Sequence, residues 1–281
     1  MKLHNLSLAI FALLLSGCAF FPKSELFPGQ RDTETRNLRN VYLYEKVVAP
    51  SNFTLELKTS VHRSEKAKTQ NLSSIAACEK PGTGAIFGID ERGYLATAKH
   101  SLHIKQDKCL ELIKKEIQIK KLPLTLTDFK INSIYKAIDL DGNEYGLVTV
   151  LESTDEKIDA AIMKFDGIIP KNFRPLPLLD RNPIVGEEVA AVGSPIRITN
   201  AMSFGNIARQ APFEGGYLFS MPIYPGNSGG ALIALSEMGC LGMVVNAVQS
   251  GSGQILNYSV VLPAPEIIKL LNRAIAVDIK Q

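Results

Sequence analysis

The stretch Pro225–Gly230 (PGNSGG) places Ser228 between glycines at positions 226 and 229. A nucleophilic serine needs an exposed hydroxyl on a tight turn, with backbone N–H groups directed at the oxyanion that develops during acyl transfer. Glycine permits such a turn and the close approach of a substrate backbone. The stretch therefore predicts a catalytic serine, and the alternative is an ordinary glycine-rich loop in a β-protein.

The same stretch fits the Gly-x-Ser-x-Gly elbow of α/β-hydrolases, in which the serine precedes both its acid and its histidine. Here all four histidines, His4, His62, His100 and His103, precede Ser228. The α/β-hydrolase interpretation therefore fails. The order His, Asp, Ser remains, as in chymotrypsin-like enzymes.

The general base is predicted to be His100, which directly follows the strand around Tyr94–Thr97, whereas His103 is expected in a turn. The carboxylate that orients this histidine is predicted to be Asp159, because it opens a hydrophobic strand. The other candidates have turn-like neighbours or end a strand: Asp139, Asp141, Asp155 and Asp166.

Three cysteines, Cys78, Cys109 and Cys240, lie outside the N-terminal segment. One disulfide and one odd thiol is the simplest arrangement in an exported protein. A Cys78–Cys109 bridge would brace the loop that carries His100, and free buried thiols are the alternative. No HExxH or CxxC spacing supports a zinc site made of these two cysteines with His100 and His103, so no metal is expected.

The N-terminus resembles a bacterial lipoprotein signal. Leu6–Leu15 is a short apolar run, too short to span a membrane, and Leu15–Cys18 (LSGC) resembles a lipobox. The resemblance implies a signal peptide over residues 1–17, lipidation of Cys18, for example by palmitate, and a polar tether over residues 18–44. It further implies export and membrane anchoring, with the periplasmic face of the outer membrane as the expected location. An ordinary signal peptide with a chance cysteine is the alternative.

The remaining sequence is that of a folded globular protein, with 46% hydrophobic and 21% charged residues. A net charge of +3 is too small to indicate nucleic-acid binding. From about residue 45, many short strands separated by glycine, proline and aspartate turns predict a sandwich or barrels. Two segments predict helices: Asp107–Ile119 and Ala264–Ala276.

Four motifs in order resemble the trypsin-like serine protease family, and specifically its HtrA/Deg-like branch. The resemblance covers roughly residues 72–265. Its motifs are the histidine hairpin Gly82–His100, the approach to the aspartate Leu140–Ala161, the second-barrel opening Val185–Ile207, and the serine loop with the pocket walls Gly242–Asn246 and Asn257–Pro263.

The resemblance implies an all-β fold of two six-stranded antiparallel barrels with a cleft between them. The protease domain is expected over residues 45–281. Within it, we expect the N-terminal barrel at about 45–176, the C-terminal barrel at about 177–265 and a C-terminal helix at 264–276.

The resemblance also implies the roles of the site residues in a serine endopeptidase. The N–H groups of Gly226 and Ser228 would form the oxyanion hole. A protein or peptide substrate would bind as an extended strand, and no cofactor is implied. The residues expected to contact the substrate are Tyr224, Val245, Asn246 and Ala247.

Several features depart from the HtrA/Deg-like pattern. No PDZ-like segment follows the protease region, residues 105–132 resemble an insertion, and residues 45–63 are interpreted as an extra hairpin. No acidic residue near Ser228 would pair with a lysine or arginine side chain of the substrate at P1, so an apolar or small P1 side chain is expected. The alternative function is a catalytically weak protease fold that binds peptides or acts as a chaperone, although binding alone does not require a complete His, Asp and Ser set.

Overall fold

A computed structural model describes residues 36–195, 198–210, 216–221, 223–249 and 255–280. The predicted signal peptide, Cys18 and the tether up to residue 35 lie outside these ranges. Residues 36–42 are helical where the sequence predicted an irregular tether, and they belong to a separate unit from residues 43–281. The second unit begins at Leu43, which is fully buried.

The strands of the described chain form two closed barrels of six antiparallel strands each. This arrangement confirms the predicted all-β fold. The first barrel contains β1 (Asn52–Arg63), β2 (Gly82–Asp90), β3 (Tyr94–Thr97), β4 (Phe129–Ile138), β5 (Glu144–Glu152) and β6 (Ala161–Phe165). The second contains β7 (Glu188–Gly193), β8 (Ala201–Gln210), β9 (Tyr217–Ser220), β10 (Ala231–Ala234), β11 (Gly239–Gln249) and β12 (Ile255–Pro263).

Residues 45–63 do not form the extra hairpin expected from the sequence. A π-helical turn, Leu43–Val48, leads instead into the single long strand β1. The first half of β1 pairs with β2, and Thr54–Arg63 pairs with β4. One strand forms because both of its edges find hydrogen-bonding partners within the same barrel.

Helices pack outside the barrels. The longest helix of the described ranges, α3 (Lys99–Ile119), begins at Lys99 rather than at the predicted Asp107, because its first turns bury Ser101 and Leu102. His103 therefore lies in a helix and not in a turn. In the described part of the second unit, the α-helices are α1 (Glu65–Lys68), α2 (Ser73–Cys78), α3 (Lys99–Ile119) and α4 (Ala264–Asp278), with a 3₁₀ turn at Leu126–Asp128.

The C-terminal helix α4 packs against strands of both barrels. It buries Ile267, Leu271 and Ala274, which recur at helical spacing. At its end, Asp278 accepts hydrogen bonds of 2.6 Å from the Tyr94 hydroxyl and from Lys164 Nζ. The helix thus links the end of β12 back to the first barrel. None of the helices within the described ranges combines the length and apolarity needed to cross a bilayer.

Candidate active site

Strand pairing brings His100 and Asp159 together. The chain leaves β3 at Thr97 and enters α3 at Lys99, so His100 lies in the first helical turn. Asp159 lies just before β6, which begins at Ala161. Thr97 pairs directly with Ala161. His100, which follows β3, therefore lies next to Asp159, which precedes β6.

Both carboxylate oxygens of Asp159 accept hydrogen bonds from His100. Oδ1 lies 2.9 Å from the backbone N–H, and Oδ2 lies 2.5 Å from Nδ1. Burial raises the pKa of Asp159, but the hydrogen bonds and charge of His100, with the charge of Lys99, outweigh it and hold the pKa below its ordinary value of 3.8. An ionised Asp159 can only accept, so it favours the imidazole tautomer that keeps its proton on Nδ1 and leaves Nε2 free to accept one.

The turn before Ser228 has the geometry of a type II β-turn. The Asn227 N–H donates to the Tyr224 carbonyl over 3.0 Å, with Pro225 and Gly226 in the central positions. Gly226 has φ +105°, a backbone conformation that disfavours other residues. Within the described ranges, neither the Gly226 N–H nor the Ser228 N–H has a hydrogen-bond acceptor. Both donors are therefore available to an oxyanion.

The Ser228 segment is hydrogen-bonded to both barrels. The Ser228 carbonyl accepts from the Ala85 N–H of β2 over 3.1 Å, and the Gly229 N–H donates to Val244 of β11 over 2.8 Å. The described contacts include no hydrogen bond between the Ser228 hydroxyl and His100, although both side chains line one cleft. Such bonds are often long without substrate and shorten in the Michaelis complex.

This cleft has a volume of about 540 Å³. Three of the predicted substrate contacts, Tyr224, Asn246 and Ala247, line it together with Gly226. The fourth, Val245, is nearly buried and lines an adjacent cavity of about 270 Å³ that also contains Asp159. The residues predicted for chemistry and for substrate thus lie in two neighbouring cavities.

Cys78 and Cys109 form a disulfide that joins α2 to α3, while Cys240 is a buried free thiol. Burial raises the pKa of Cys240 to about 12, which keeps this thiol protonated and unreactive at neutral pH. The bridge braces α3, whose first turn carries His100. The segment interpreted as an insertion, residues 105–132, begins within α3. Two of its residues, Lys105 and Lys108, line the cleft.

Three polar contacts near the site were not predicted. His103 Nε2 lies 2.7 Å from Glu152 Oε2 and fastens α3 to the end of β5. Ser194 donates its N–H to the Gly226 carbonyl over 3.1 Å, and its hydroxyl lies 2.7 Å from that of Thr54. Each pair joins residues that are distant in sequence, so no local sequence pattern indicates it.

Comparisons with known proteins agree with this geometry. Residues 82–243, more than half of the chain, match the family described as Trypsin-like peptidase domain. A search of the curated proteins finds no match.

Two solved structures share the fold. One is an HtrA-type protease solved with a tripeptide, with 18% identity, a TM-score of 0.55, and coverage of 83% of this chain and 62% of that one. The other is the serine endoprotease from Yersinia pestis, with 17% identity, a TM-score of 0.55, and coverage of 85% and 66%. The chain therefore spans less than two thirds of the length of either structure. By the match over residues 82–243, the chain belongs to the trypsin-like peptidase domain family.

Proposed function

We propose that the protein is a serine endopeptidase in which Ser228, His100 and Asp159 form the catalytic triad. The observation that carries this proposal is the pairing of His100 with Asp159 in front of the cleft that Ser228 lines. Serine attack requires a base beside the hydroxyl and a carboxylate that stabilises the imidazolium. The chain supplies both groups in the required order.

In the proposed reaction, Ser228 Oγ attacks the scissile carbonyl carbon while His100 Nε2 accepts the hydroxyl proton. The Gly226 and Ser228 N–H groups would stabilise the oxyanion of the tetrahedral intermediate. His100 then returns the proton to the leaving amine as the C–N bond breaks, leaving an acyl group on Ser228. Water then attacks the acyl group on Ser228 in the same way, with His100 again as base, and releases the carboxylic acid and the free serine.

The proposed P1 preference is an apolar or small side chain. The described residues that line the cleft include Ile223, Tyr224 and Leu57 and contain no carboxylate. Lysine or arginine at P1 would need such a partner to offset the loss of hydration. Cleavage of a peptide library by the purified protein tests this preference, and dominant cleavage after basic residues would contradict it.

A fluorophosphonate probe, which reacts with activated serines, tests the proposed chemistry. We expect the wild-type protein and a Ser220→Ala control to be labelled, since Ser220 is an exposed serine on β9. Ser228→Ala should not be labelled. Failure of correctly folded wild-type protein to react would overturn the proposal and favour the alternative, a protease fold used for peptide binding.

We also propose that the protein is exported and anchored by a lipid on Cys18, at the periplasmic face of the outer membrane. The support is the apolar run that ends in Leu15–Cys18. Cys18→Ser should abolish incorporation of an alkyne-labelled fatty acid and release the protein from membranes. Ser24→Ala serves as a control in the same segment. Unchanged membrane association of Cys18→Ser would contradict anchoring through this residue.

A further inference from the structure

One face of α3 continues the cleft beyond the candidate triad. His100, Ser101, Ile104, Lys105 and Lys108 all line the cleft. Their spacing places them on a single helical face that starts at the candidate base and runs for about two turns. The far end of this face carries two ammonium groups.

The Lys105 side chain is held in place. Its stem lies over Gly82, where an added Cβ would be 3.6–3.7 Å from three Lys105 carbons. Its ammonium donates to the Ala77 carbonyl over 3.1 Å and retains two further N–H donors. A substrate group bound here would therefore lose little affinity to the ordering of this side chain.

The charges around Lys105 are unbalanced. Burial lowers the pKa of Lys105, and the positive charges of Lys108 and Lys80 lower it further. Neither Lys105 nor Lys108 forms an ion pair with a carboxylate in the described part of the chain. A carboxylate brought in by the substrate would relieve this repulsion.

Proton donation by His100 determines which side of the scissile bond contacts this face of α3. His100 must donate a proton to the leaving amine, so the leaving group lies on the side of His100 and α3. The acyl side is expected along the β11 edge at Asn246 and Ala247. At 1.5 Å per residue, Lys105 and Lys108 lie about 7.5 and 12 Å along the helix from His100. An extended peptide that follows this face covers that distance in about two to four residues.

We propose that Lys105 and Lys108 form a subsite that binds an acidic side chain at the second to fourth residue on the leaving-group side of the scissile bond. The subsite rests on the proposed endopeptidase function and specifies its substrates: peptides and proteins with glutamate or aspartate downstream of the cleavage point.

Matched peptides that carry glutamate or glutamine at these positions test the subsite. With wild-type protein, we expect kcat/KM to be about three- to tenfold higher for the glutamate peptide at low salt, and the difference to shrink as salt is added. The ratio should fall to near one in the double variant Lys105→Gln, Lys108→Gln. It should persist in Lys114→Gln, Lys115→Gln, which removes the same charge from α3 outside the cleft.

A kcat/KM ratio near one in the wild type would overturn the subsite. So would a raised ratio that persists in Lys105→Gln, Lys108→Gln, or a ratio that falls equally in Lys114→Gln, Lys115→Gln. Lys108→Gln alone, which changes only an exposed side chain, should lower the ratio if folding limits the double variant.

Two further measurements separate this proposal from the proposed function. Fluorophosphonate labelling of the wild type reports the reactivity of Ser228 alone. Binding of the two fluorescent peptides to Ser228→Ala, measured by anisotropy, reports the subsite without turnover. If labelling fails, the endopeptidase proposal falls, while tighter binding of the glutamate peptide still supports the subsite and equal binding overturns it.

Discussion

The backbone N–H of Ser194 donates a 3.1 Å hydrogen bond to the carbonyl oxygen of Gly226. The Ser194 hydroxyl in turn lies 2.7 Å from the hydroxyl of Thr54 on β1. Ser194 is fully buried, and Thr54 is nearly so. A polar connection therefore runs from the first barrel, through Ser194, to the turn that presents the proposed oxyanion donors.

Gly226→Ala should strongly lower kcat. A Cβ at Gly226 would lie 2.3 Å from the Ser194 carbonyl oxygen, and the backbone has φ +105°. The turn must therefore change, and the Gly226 N–H would leave its position. Loss of one oxyanion donor lowers kcat by about 10²–10³, which steady-state peptide hydrolysis would measure.

Gly142→Ala is the matched control for this variant. Gly142 has φ +82° with open space around its Cβ position, so the change costs about 1–2 kcal/mol of backbone strain without a clash. Its kcat should stay at the wild-type value. A Gly226→Ala protein with wild-type kcat would show that this N–H does not support catalysis.

Thr54→Val should destabilise the protein by about 1–3 kcal/mol, because the Ser194 and Thr199 hydroxyls would each lose a partner. Urea unfolding followed by circular dichroism measures this change. Thr149→Val, at an exposed position on β5, should alter the unfolding free energy by less than about 0.5 kcal/mol. Equal unfolding free energies for the two variants would mean that the hydrogen bonds of Thr54 to Ser194 and Thr199 contribute nothing to stability.

Asp159→Asn should lower kcat by about 10⁴ with the fold intact, because an amide no longer selects the productive His100 tautomer. Peptide hydrolysis measures kcat, and the thermal unfolding temperature shows whether the fold is intact. Asp141→Asn removes an acid that was also a candidate and lies on an exposed turn, so its kcat should not change. Near-normal activity of Asp159→Asn would refute the assignment of the acid.

The Glu116 carboxylate should make a pH-dependent contribution to the free energy of unfolding. It accepts hydrogen bonds from Ser73 and from Ser74, and it pairs with Lys120. Burial raises the pKa of Glu116, but the bonds from Lys120, Ser74 and Ser73 outweigh it and hold the pKa far below its ordinary value of 4.5. The stabilisation is therefore fully present above pH 4.5 and is lost as pH falls towards the lower folded-state pKa.

Glu116→Gln should consequently cost about 2 kcal/mol at pH 7 and progressively less as the pH is lowered from 4 to 2. Urea unfolding across this range measures the difference from wild type. Glu111→Gln, an exposed change on the same helix, should show no such trend. A difference for Glu116→Gln that does not depend on pH would contradict the ionised role of this carboxylate.

Local sequence patterns predicted several strands and the C-terminal helix, and the resemblance to trypsin-like proteases implied the two barrels. The sequence placed a strand around Tyr94–Thr97 within the histidine hairpin Gly82–His100, and β2 and β3 occupy this hairpin in the first barrel. The C-terminal helix was predicted from Pro265 and Glu266 in its first turn, and it begins at Ala264. Such features are local, because strand alternation and helix starts depend on residues close together in the chain.

The single strand β1 and the early start of α3 were not predicted. Both depend on partners far away in the chain. β1 is one strand because Thr54–Arg63 pairs with β4, and α3 starts at Lys99 because Leu102 enters the core of the first barrel. Tertiary packing overrides local propensity in such cases.

The sequence by itself determined the candidate nucleophile and the order of the site residues, because PGNSGG is a local motif and no histidine follows Ser228. The sequence favoured Asp159 among five candidate acids by its local context, but only the tertiary structure brought it to His100. Thr97 pairs with Ala161, and this pairing across more than sixty residues brings Asp159 to the imidazole. The same folding joined Ser194 to Gly226 and aligned Lys105 with the cleft. These contacts join residues distant in the chain, so their geometry arises only when the barrels close.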